Sequence, residues 1–200
     1  MCSARCRSKV RRSIGVVPST YLRYYYATGE VLDEQRRRPS RAEQVAEIER
    51  DLLELYRDPD LDTKPELLEQ RGGAFYSEAA AALIASLHAG TGDTQVVDVR
   101  NDGALPGLPD DAVVEVPARI DAAGAHPLAQ AALAPELLGL VQQAKAYERL
   151  AVQAAVTGDR TVALKALLAN PLVREYRVAA PLLDALLQAS RPYLPRFFGA

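Results

Sequence analysis

Two valine-rich segments near the middle of the chain constrain its fold most strongly. They cover residues 95–101 and 112–116, and a turn-rich stretch separates them. Runs of β-branched residues between turn residues are typical of strands, whereas the sequence on either side carries apolar residues at helical spacing. Because these strands do not alternate regularly with helices, a complete doubly wound βαβ domain is excluded. The sequence therefore predicts a mostly helical α+β fold with a small sheet.

Helices are predicted on both sides of the two strands. The best marked begins after Pro39, where Ser40 can cap the helix and Glu43 can complete a capping box. Residues 29–38 are polar and charged, and we expect a loop or a frayed turn there. Two more helical segments are predicted before the strands: a short turn at 64–70 and an Ala-rich helix that ends near His88, before Gly90. Three are predicted after the strands: a long helix over 135–157, one over 161–168, and one over 179–189 with Pro181 in its first turn.

The charge balance excludes some classes of protein. The chain of 200 residues has 24 basic and 26 acidic side chains, a net charge of -2, which is not the footprint of a nucleic-acid binder. No apolar run approaches the roughly 20 residues that a membrane-spanning helix needs. The first twelve residues carry five basic groups and no acidic one. We expect residues 1–15 to be a disordered or misassigned basic head.

Cysteine and histidine say little about chemistry. The two cysteines, Cys2 and Cys6, both lie in the basic head, so no disulfide framework can hold the body of the chain together. This usage is consistent with a reducing cytoplasm. His88 and His126 lie far from the cysteines in sequence. We therefore predict no metal site built wholly within this chain and read both histidines as structural or exposed.

Five segments, in order, resemble the C-terminal half of glycoside hydrolase family 4. They are Y-L-R-Y-Y-Y at 21–26, the stretch around Arg41 and Glu43, R-G-G-A-F-Y-S at 71–77, the valine-rich middle at 97–117, and the stretch from Tyr147 to Val173. The first and third look most like the 6-phospho-β-glucosidase branch. The resemblance implies a C-terminal domain over residues 16–200, similar to that of lactate and malate dehydrogenases, with helices against a small mixed sheet.

The resemblance implies an unusual hydrolytic chemistry that departs from the two-carboxylate rule. In the family, NAD oxidises the hydroxyl at sugar carbon 3, and a base then removes the acidified proton from carbon 2. The aglycone is eliminated, water adds, and the ketone is reduced again. A divalent metal, usually manganese, stabilises the negative charge as a Lewis acid.

The resemblance assigns two roles to residues of this chain. Tyr21 matches the family's base, with Tyr24 and Tyr25 as alternatives. At least two of the four tyrosines at 21–26 are expected to be packed aromatics. Arg41 matches the arginine that binds the substrate phosphate about twenty positions after the base. A guanidinium can hold a phosphate through two parallel hydrogen bonds, and N–H groups at a helix N-terminus can assist it. Residues 71–73 allow either close packing of the backbone or a close approach of the backbone to a ligand.

The family's NAD-binding Rossmann domain, catalytic acid and metal-binding Cys and His are expected ahead of this segment and are absent from this sequence. We therefore expect the isolated chain to be inactive. Its implied partners are a phosphorylated disaccharide or β-glucoside, the missing Rossmann half, and further copies in a dimer or tetramer. Two alternatives stay open. One is a non-catalytic helical binding or assembly module. The other is a different branch of the family, the α-glucosidases, α-galactosidases or α-glucuronidases.

Overall fold

The computed structural model describes residues 19–72 and 75–199. The predicted basic head and both cysteines lie outside the described residues. The chain divides into two compact units, and the division falls after Ala82, inside a helix. In the described part, no helix combines the length and the apolar composition required to cross a bilayer.

The first unit is helical. Its elements are a 3-10 turn at Thr20–Leu22, α1 at Arg23–Tyr26, α2 at Thr28–Arg37, α3 at Arg41–Leu55, α4 at Leu67–Arg71, and the first half of α5, which spans Tyr76–Ala89. Helix α3 begins as predicted: the Ser40 hydroxyl accepts from the Glu43 N–H, and the Glu43 carboxylate accepts from the Ser40 N–H. Of the apolar positions expected along α3, Leu52 is buried and Leu55 is exposed.

The loop predicted at residues 29–38 is wrong, because the structure has helix α2 there. The segment is polar, and its single buried side chain is Val31. A partly buried ion pair, with 2.6 Å between Arg23 Nη2 and Glu34 Oε2, joins α2 to α1. Glu, Gln and Arg also have high helix propensity, so a few tertiary contacts are enough to hold a helix that hydropathy does not reveal.

The second unit contains the sheet and a helical bundle. Its elements are β1 at Thr94–Arg100, β2 at Val113–Asp121, β3 at Gly124–Pro127, α6 at Pro135–Thr157, α7 at Arg160–Ala169, α8 at Tyr176–Ala189, and two closing 3-10 turns at Arg191–Tyr193 and Pro195–Phe198. The predicted fold class, mostly helical with a small sheet, is confirmed. Helix α6 has the predicted bounds. Helix α8 begins at Tyr176, so Pro181 lies inside the helix and not in its first turn as predicted.

The sheet is antiparallel, which corrects the mixed pairing implied by the resemblance. The order is β1-β2-β3, with Val97 opposite Val116 and Val99 opposite Val114. The β2–β3 turn is too short for a parallel crossover, so antiparallel pairing is forced there. One face of β2 is buried, and its members are Val114, Val116, Ala118 and Ile120. Strand β3 escaped prediction because it is short and lacks β-branched residues.

The core of the second unit lies among α6, α7 and α8. Its buried side chains are Ala154, Val162, Ala163, Leu183 and Leu187. The turn between α6 and α7 depends on Gly158, whose φ is +72°. Asp159 then caps α7 by accepting from the N–H groups of Thr161 and Val162. An added Cβ at Gly158 would overlap the Arg196 carbonyl, so this position is closed to other residues.

Candidate functional site

The tyrosine-rich segment presents Tyr21 to solvent. The Ser19 hydroxyl accepts from the Tyr21 N–H at 3.3 Å, which starts the 3-10 turn. The Tyr21 ring stacks on Tyr24, with centroids 6.4 Å apart and an interplanar angle of 20°. Tyr21 is 71% exposed, whereas Tyr24 and Tyr25 are half-buried. Among the three candidate bases, Tyr21 is therefore the most open to a ligand.

Arg23 explains why Tyr24 is the more constrained of the stacked pair. The Arg23 guanidinium carbon lies 5.6 Å from the centroid of the Tyr24 ring, within cation–π range. The same guanidinium donates to Glu34. Tyr24 is thus contacted by both Arg23 and Tyr21. This geometry suits a packed aromatic, whereas Tyr21 has only one of these neighbours.

Arg41 joins two of the sequence segments. It is the first residue of α3, and its Nη2 donates to the carbonyl oxygens of Gln70 at 2.8 Å and Arg71 at 3.2 Å. These carbonyls end α4, where helix carbonyls have no partner within the helix. Gly72 follows with φ +90°, and an added Cβ there would lie 3.9 Å from Arg41 Nη2. The structure therefore brings Arg41 against Arg71 and Gly72, which the sequence analysis treats separately from it.

The guanidinium of Arg41 keeps donors for a ligand. Both hydrogens of Nη2 are committed to the α4 carbonyls, which leaves one N–H on Nε and two on Nη1. Among the described residues, no acceptor contacts those two nitrogens. A two-bond grip on phosphate must include Nη2, because each fork edge of a guanidinium contains it. Such a grip would therefore replace one of the two carbonyls.

The N-terminus of α3 already holds an anion of its own. Hydrogen bonds from Ser40 keep the pKa of the Glu43 carboxyl below its usual value, so it is ionised at neutral pH. This carboxylate lies at the positive end of the helix dipole. The assistance predicted for this helix end would fall to the N–H groups of Arg41 and Ala42, because the Glu43 N–H is used.

Asn101 is a structural residue whose role the sequence did not predict. It is fully buried at the end of β1, and its Oδ1 accepts from the Leu105 N–H at 2.7 Å. Its Nδ2 is shared among the carbonyls of Leu105, Leu108 and Pro109, each at 3.2 Å. One side chain thus bonds to backbone groups at three positions of the β1–β2 loop. The sequence pattern that could have indicated this role is an Asn between a valine-rich strand and a Gly/Pro-rich turn.

The histidines and Glu78 have local roles. His126 Nε2 lies 2.9 Å from Asp121 Oδ1 across the β2–β3 turn, and this bond keeps the pKa of the Asp121 carboxyl below its usual value. His88 is exposed near the end of α5. Glu78 lies in the first turn of α5, where its own backbone N–H lowers the pKa of its carboxyl. It is an acidic residue in the first turn of the helix, where a negative charge is favourable.

Comparison with known proteins identifies the family. Residues 3–173 match the family described as the family 4 glycosyl hydrolase C-terminal domain. The chain belongs to this family. The prediction drawn from the five segments is therefore confirmed, and the matched range includes both Tyr21 and Arg41.

Individual relatives indicate the branch. A probable 6-phospho-β-glucosidase of Bacillus subtilis is 44% identical over 191 residues, which cover 94% of this chain and 43% of that protein. A phospho-α-glucosidase of Clostridium acetobutylicum is 29% identical, over 88% of this chain and 41% of that protein. The chain thus spans less than half the length of these relatives.

A solved structure shares the fold. The 6-phospho-β-glucosidase of Thermotoga maritima, crystallised with manganese, NAD⁺ and glucose-6-phosphate, superposes with a TM-score of 0.85 at 35% identity. The superposition covers 94% of this chain and 45% of that one. That relative therefore binds the metal, the cofactor and a phosphorylated sugar in a protein about twice as long.

The described residues do not fit a complete metal centre. Nowhere in residues 19–72 and 75–199 do three His, Cys, Asp or Glu side chains converge as ligands would. The chain also lacks a glycine-rich phosphate loop following a strand.

Proposed function

We propose that this chain is the C-terminal, substrate-binding part of an NAD- and metal-dependent 6-phospho-β-glucosidase. The observation that carries the proposal is the 44% identity to a probable 6-phospho-β-glucosidase, against 29% to a phospho-α-glucosidase. The structural likeness to a 6-phospho-β-glucosidase that binds glucose-6-phosphate supports it. The substrate is then a β-linked glucoside with a phosphate on carbon 6.

Tyr21 is the base in this proposal. Its exposed ring can approach the sugar, and its stacking on Tyr24 limits its orientation without covering the hydroxyl. When bound in the longer enzyme, NAD supplies the oxidation that makes the proton on carbon 2 acidic. The Tyr21 phenolate accepts that proton at Oη, and the aglycone leaves from the neighbouring carbon. Tyr24 and Tyr25 are the alternatives, and their partial burial makes each a weaker candidate.

Arg41 holds the substrate phosphate in this proposal. Its two hydrogen bonds to α4 fix the guanidinium in place before substrate arrives, so little side-chain entropy is lost on binding. One of the two α4 carbonyls is then displaced, and Nη2 together with Nε or Nη1 donates two parallel hydrogen bonds to phosphate oxygens. Because the hydrogen bonds to a charged group are strong, Arg41 would favour 6-phosphorylated over unphosphorylated sugars.

The experiment restores the missing part of the enzyme. A hybrid polypeptide joins the portion of the Bacillus subtilis relative that this chain does not cover ahead of the present chain. We expect the hybrid to hydrolyse 6-phospho-β-glucosides when NAD and manganese are added, and the present chain alone to be inactive. Turnover of 6-phospho-α-glucosides or of unphosphorylated α-glycosides in their place would assign another branch.

The hybrid also tests the remaining alternatives. A folded hybrid that turns over none of these glycosides would favour the non-catalytic binding or assembly module. Light scattering on the hybrid tests the proposed dimer or tetramer. The cytoplasmic location stays a prediction that rests on cysteine usage.

A further inference from the structure

Helix α5 is apolar and exposed on nearly every side. Within it, Ser86 is the buried residue and Leu83 is half-buried. Tyr76 is 76% exposed, Ile84 is 67% exposed, and the four alanines at 79–82 are all exposed. A helix that is hydrophobic all round is normally found in a protein core. An exposed helix of this composition indicates a surface that another polypeptide covers.

The residue before α5 extends this apolar surface. Phe75 has a φ of +71°, in the left-handed region that aromatic residues rarely adopt, and its ring is exposed. Such a conformation costs free energy and persists where the surroundings require it. Phe75 and Tyr76 therefore present two exposed rings at the start of the helix. We define Phe75, Tyr76 and the alanines at 79–82 as the α5 face.

The α5 face lies close in sequence to the residues that contact Arg41, the proposed phosphate-binding residue. Arg71, whose carbonyl accepts from Arg41, precedes Phe75 by four residues. In the solved relative, NAD and glucose-6-phosphate are bound to one protein, of which this chain covers 45%. The polypeptide that holds NAD must therefore reach the residues that hold the sugar. The α5 face is an exposed apolar surface that begins four residues after Arg71.

We propose that the α5 face is the docking surface for the NAD-binding part of the longer enzyme. This inference rests on the proposed function and identifies where the two parts meet. Small alanine side chains let another backbone approach closely, while Phe75 and Tyr76 supply apolar anchors. A single charged residue, Glu78, interrupts the face. The length of polypeptide in the relatives that this chain does not span favours this occupant over a second copy of the chain.

Cysteine accessibility in the hybrid tests the docking surface without requiring catalysis. In a background with C2S and C6S, one hybrid carries Ala80→Cys on the α5 face and a control carries Ala185→Cys on the exposed side of α8. Thiol labelling at each introduced cysteine is followed by peptide mass spectrometry, so that cysteines in the other part of the hybrid do not contribute. Each rate is compared with the rate at the same cysteine in the urea-unfolded hybrid. We expect the cysteine at position 80 to be protected at least about tenfold and the control by less than about twofold.

The outcomes separate the possible occupants. Protection at position 80 that survives about hundredfold dilution supports docking within one polypeptide. Protection lost on dilution would assign the α5 face to a second copy of the chain and overturn the proposal. A cysteine at position 80 that is labelled as fast as the control would also overturn it. Protection without hydrolysis would leave the docking surface standing while the proposed function fails.

A second measurement covers a hybrid that does not fold. The two parts are co-expressed as separate chains, and the present chain is used to capture the other. We expect Ala80→Glu to reduce capture at least about tenfold and Ala185→Glu to leave it nearly unchanged, since a buried unpaired carboxylate opposes docking. Equal capture by both variants, or no capture by the unmodified chain, would overturn the proposal.

Discussion

At the scale of single residues, Arg41 donates hydrogen bonds to carbonyls at the end of α4 and, in the proposed function, also to the substrate phosphate. In the hybrid, we expect Arg41→Ala to raise the KM for a 6-phospho-β-glucoside by about ten- to a hundredfold, because one charge-assisted contact contributes about 1.5–3 kcal/mol. The measurement is steady-state kinetics on the phosphorylated substrate.

Arg37→Ala is the matched control, since Arg37 is an exposed arginine near the end of α2. It should leave KM unchanged. A purely structural role for Arg41 predicts a different pattern: a lower unfolding midpoint with an unchanged KM for the folded enzyme. That pattern would show that Arg41 stabilises the fold and does not bind the substrate phosphate.

Asn101 offers a prediction that needs no partner polypeptide. We expect Asn101→Ala to lower the free energy of unfolding by about 2–4 kcal/mol, because a buried N–H and several carbonyls lose their partner together. Urea denaturation measures the change. Asn170→Ala is the control, because Asn170 makes one side-chain bond, to the Leu172 N–H. An equal loss in the two variants would contradict the role given to Asn101.

Residue roles were predictable only where a short pattern encodes them. The Ser40–Glu43 capping box is local, and the structure contains both of its bonds. The Arg41 contact with Gln70 and Arg71 spans about thirty residues, and no local pattern announces it. The assignments of Tyr21 and Arg41 came from the family resemblance and stay predictions until the hybrid is assayed.

At the scale of secondary-structure elements, the turn between α6 and α7 depends on a glycine. We expect Gly158→Ala to lower the free energy of unfolding by about 2 kcal/mol or more, because its positive φ and the Arg196 carbonyl both oppose a Cβ. Gly139→Ala, inside α6 with open space around its Cβ position, should instead raise it by about 0.5–1 kcal/mol. Urea unfolding of both variants checks the contrast, and changes of the same sign would contradict it.

Elements with strong periodicity were predictable, and elements held by tertiary contacts were not. Helix α6 has the bounds that its Pro start and Gly stop predict. Helix α2 was mistaken for a loop because its stability depends on Val31 and the Arg23–Glu34 pair. Strand β3 follows from the β2 turn, where Asp121 accepts from the Ala123 N–H. The hydropathy pattern alone shows neither the contacts that hold α2 nor the turn that leads to β3.

At the scale of the whole molecule, paired carboxylates predict sensitivity to acid. Hydrogen bonds from Arg149 hold the pKa of Asp111 below its usual value, across the contact between α6 and the start of β2. A carboxyl whose pKa is lower in the folded state stabilises the fold above its unfolded-state pKa, near 4, and loses that contribution as the pH falls through the folded-state pKa.

We therefore expect Asp111→Asn to lower the urea midpoint at pH 7 and to differ progressively less from the unmodified chain below about pH 4. Asp110→Asn is the control, because Asp110 forms no ion pair in the described part of the chain. Midpoints measured from pH 7 down to pH 3 test the expectation. A difference between Asp111→Asn and the unmodified chain that stays constant over this range would contradict it.

The fold class of the whole molecule was predictable because two short strands within a helical pattern leave few architectures. The sheet topology was not predictable in the same way, because the resemblance implied a mixed sheet and both strand pairs of the described sheet are antiparallel. The apolar exposure of α5 was not predictable from its sequence, since an Ala-rich helix reads equally well as a core helix. It emerges only when the surroundings of the helix are known.

The most direct test of the account is hydrogen exchange at sugar carbon 2 in the hybrid enzyme. Turnover in deuterated water should place deuterium at carbon 2, because the Tyr21 phenolate removes that proton and solvent exchanges with it. Tyr21→Phe should abolish both exchange and hydrolysis, while Tyr24→Phe and Tyr25→Phe should retain them. Exchange that persists in Tyr21→Phe and is lost in one of the other two would contradict the assignment of Tyr21 as the base.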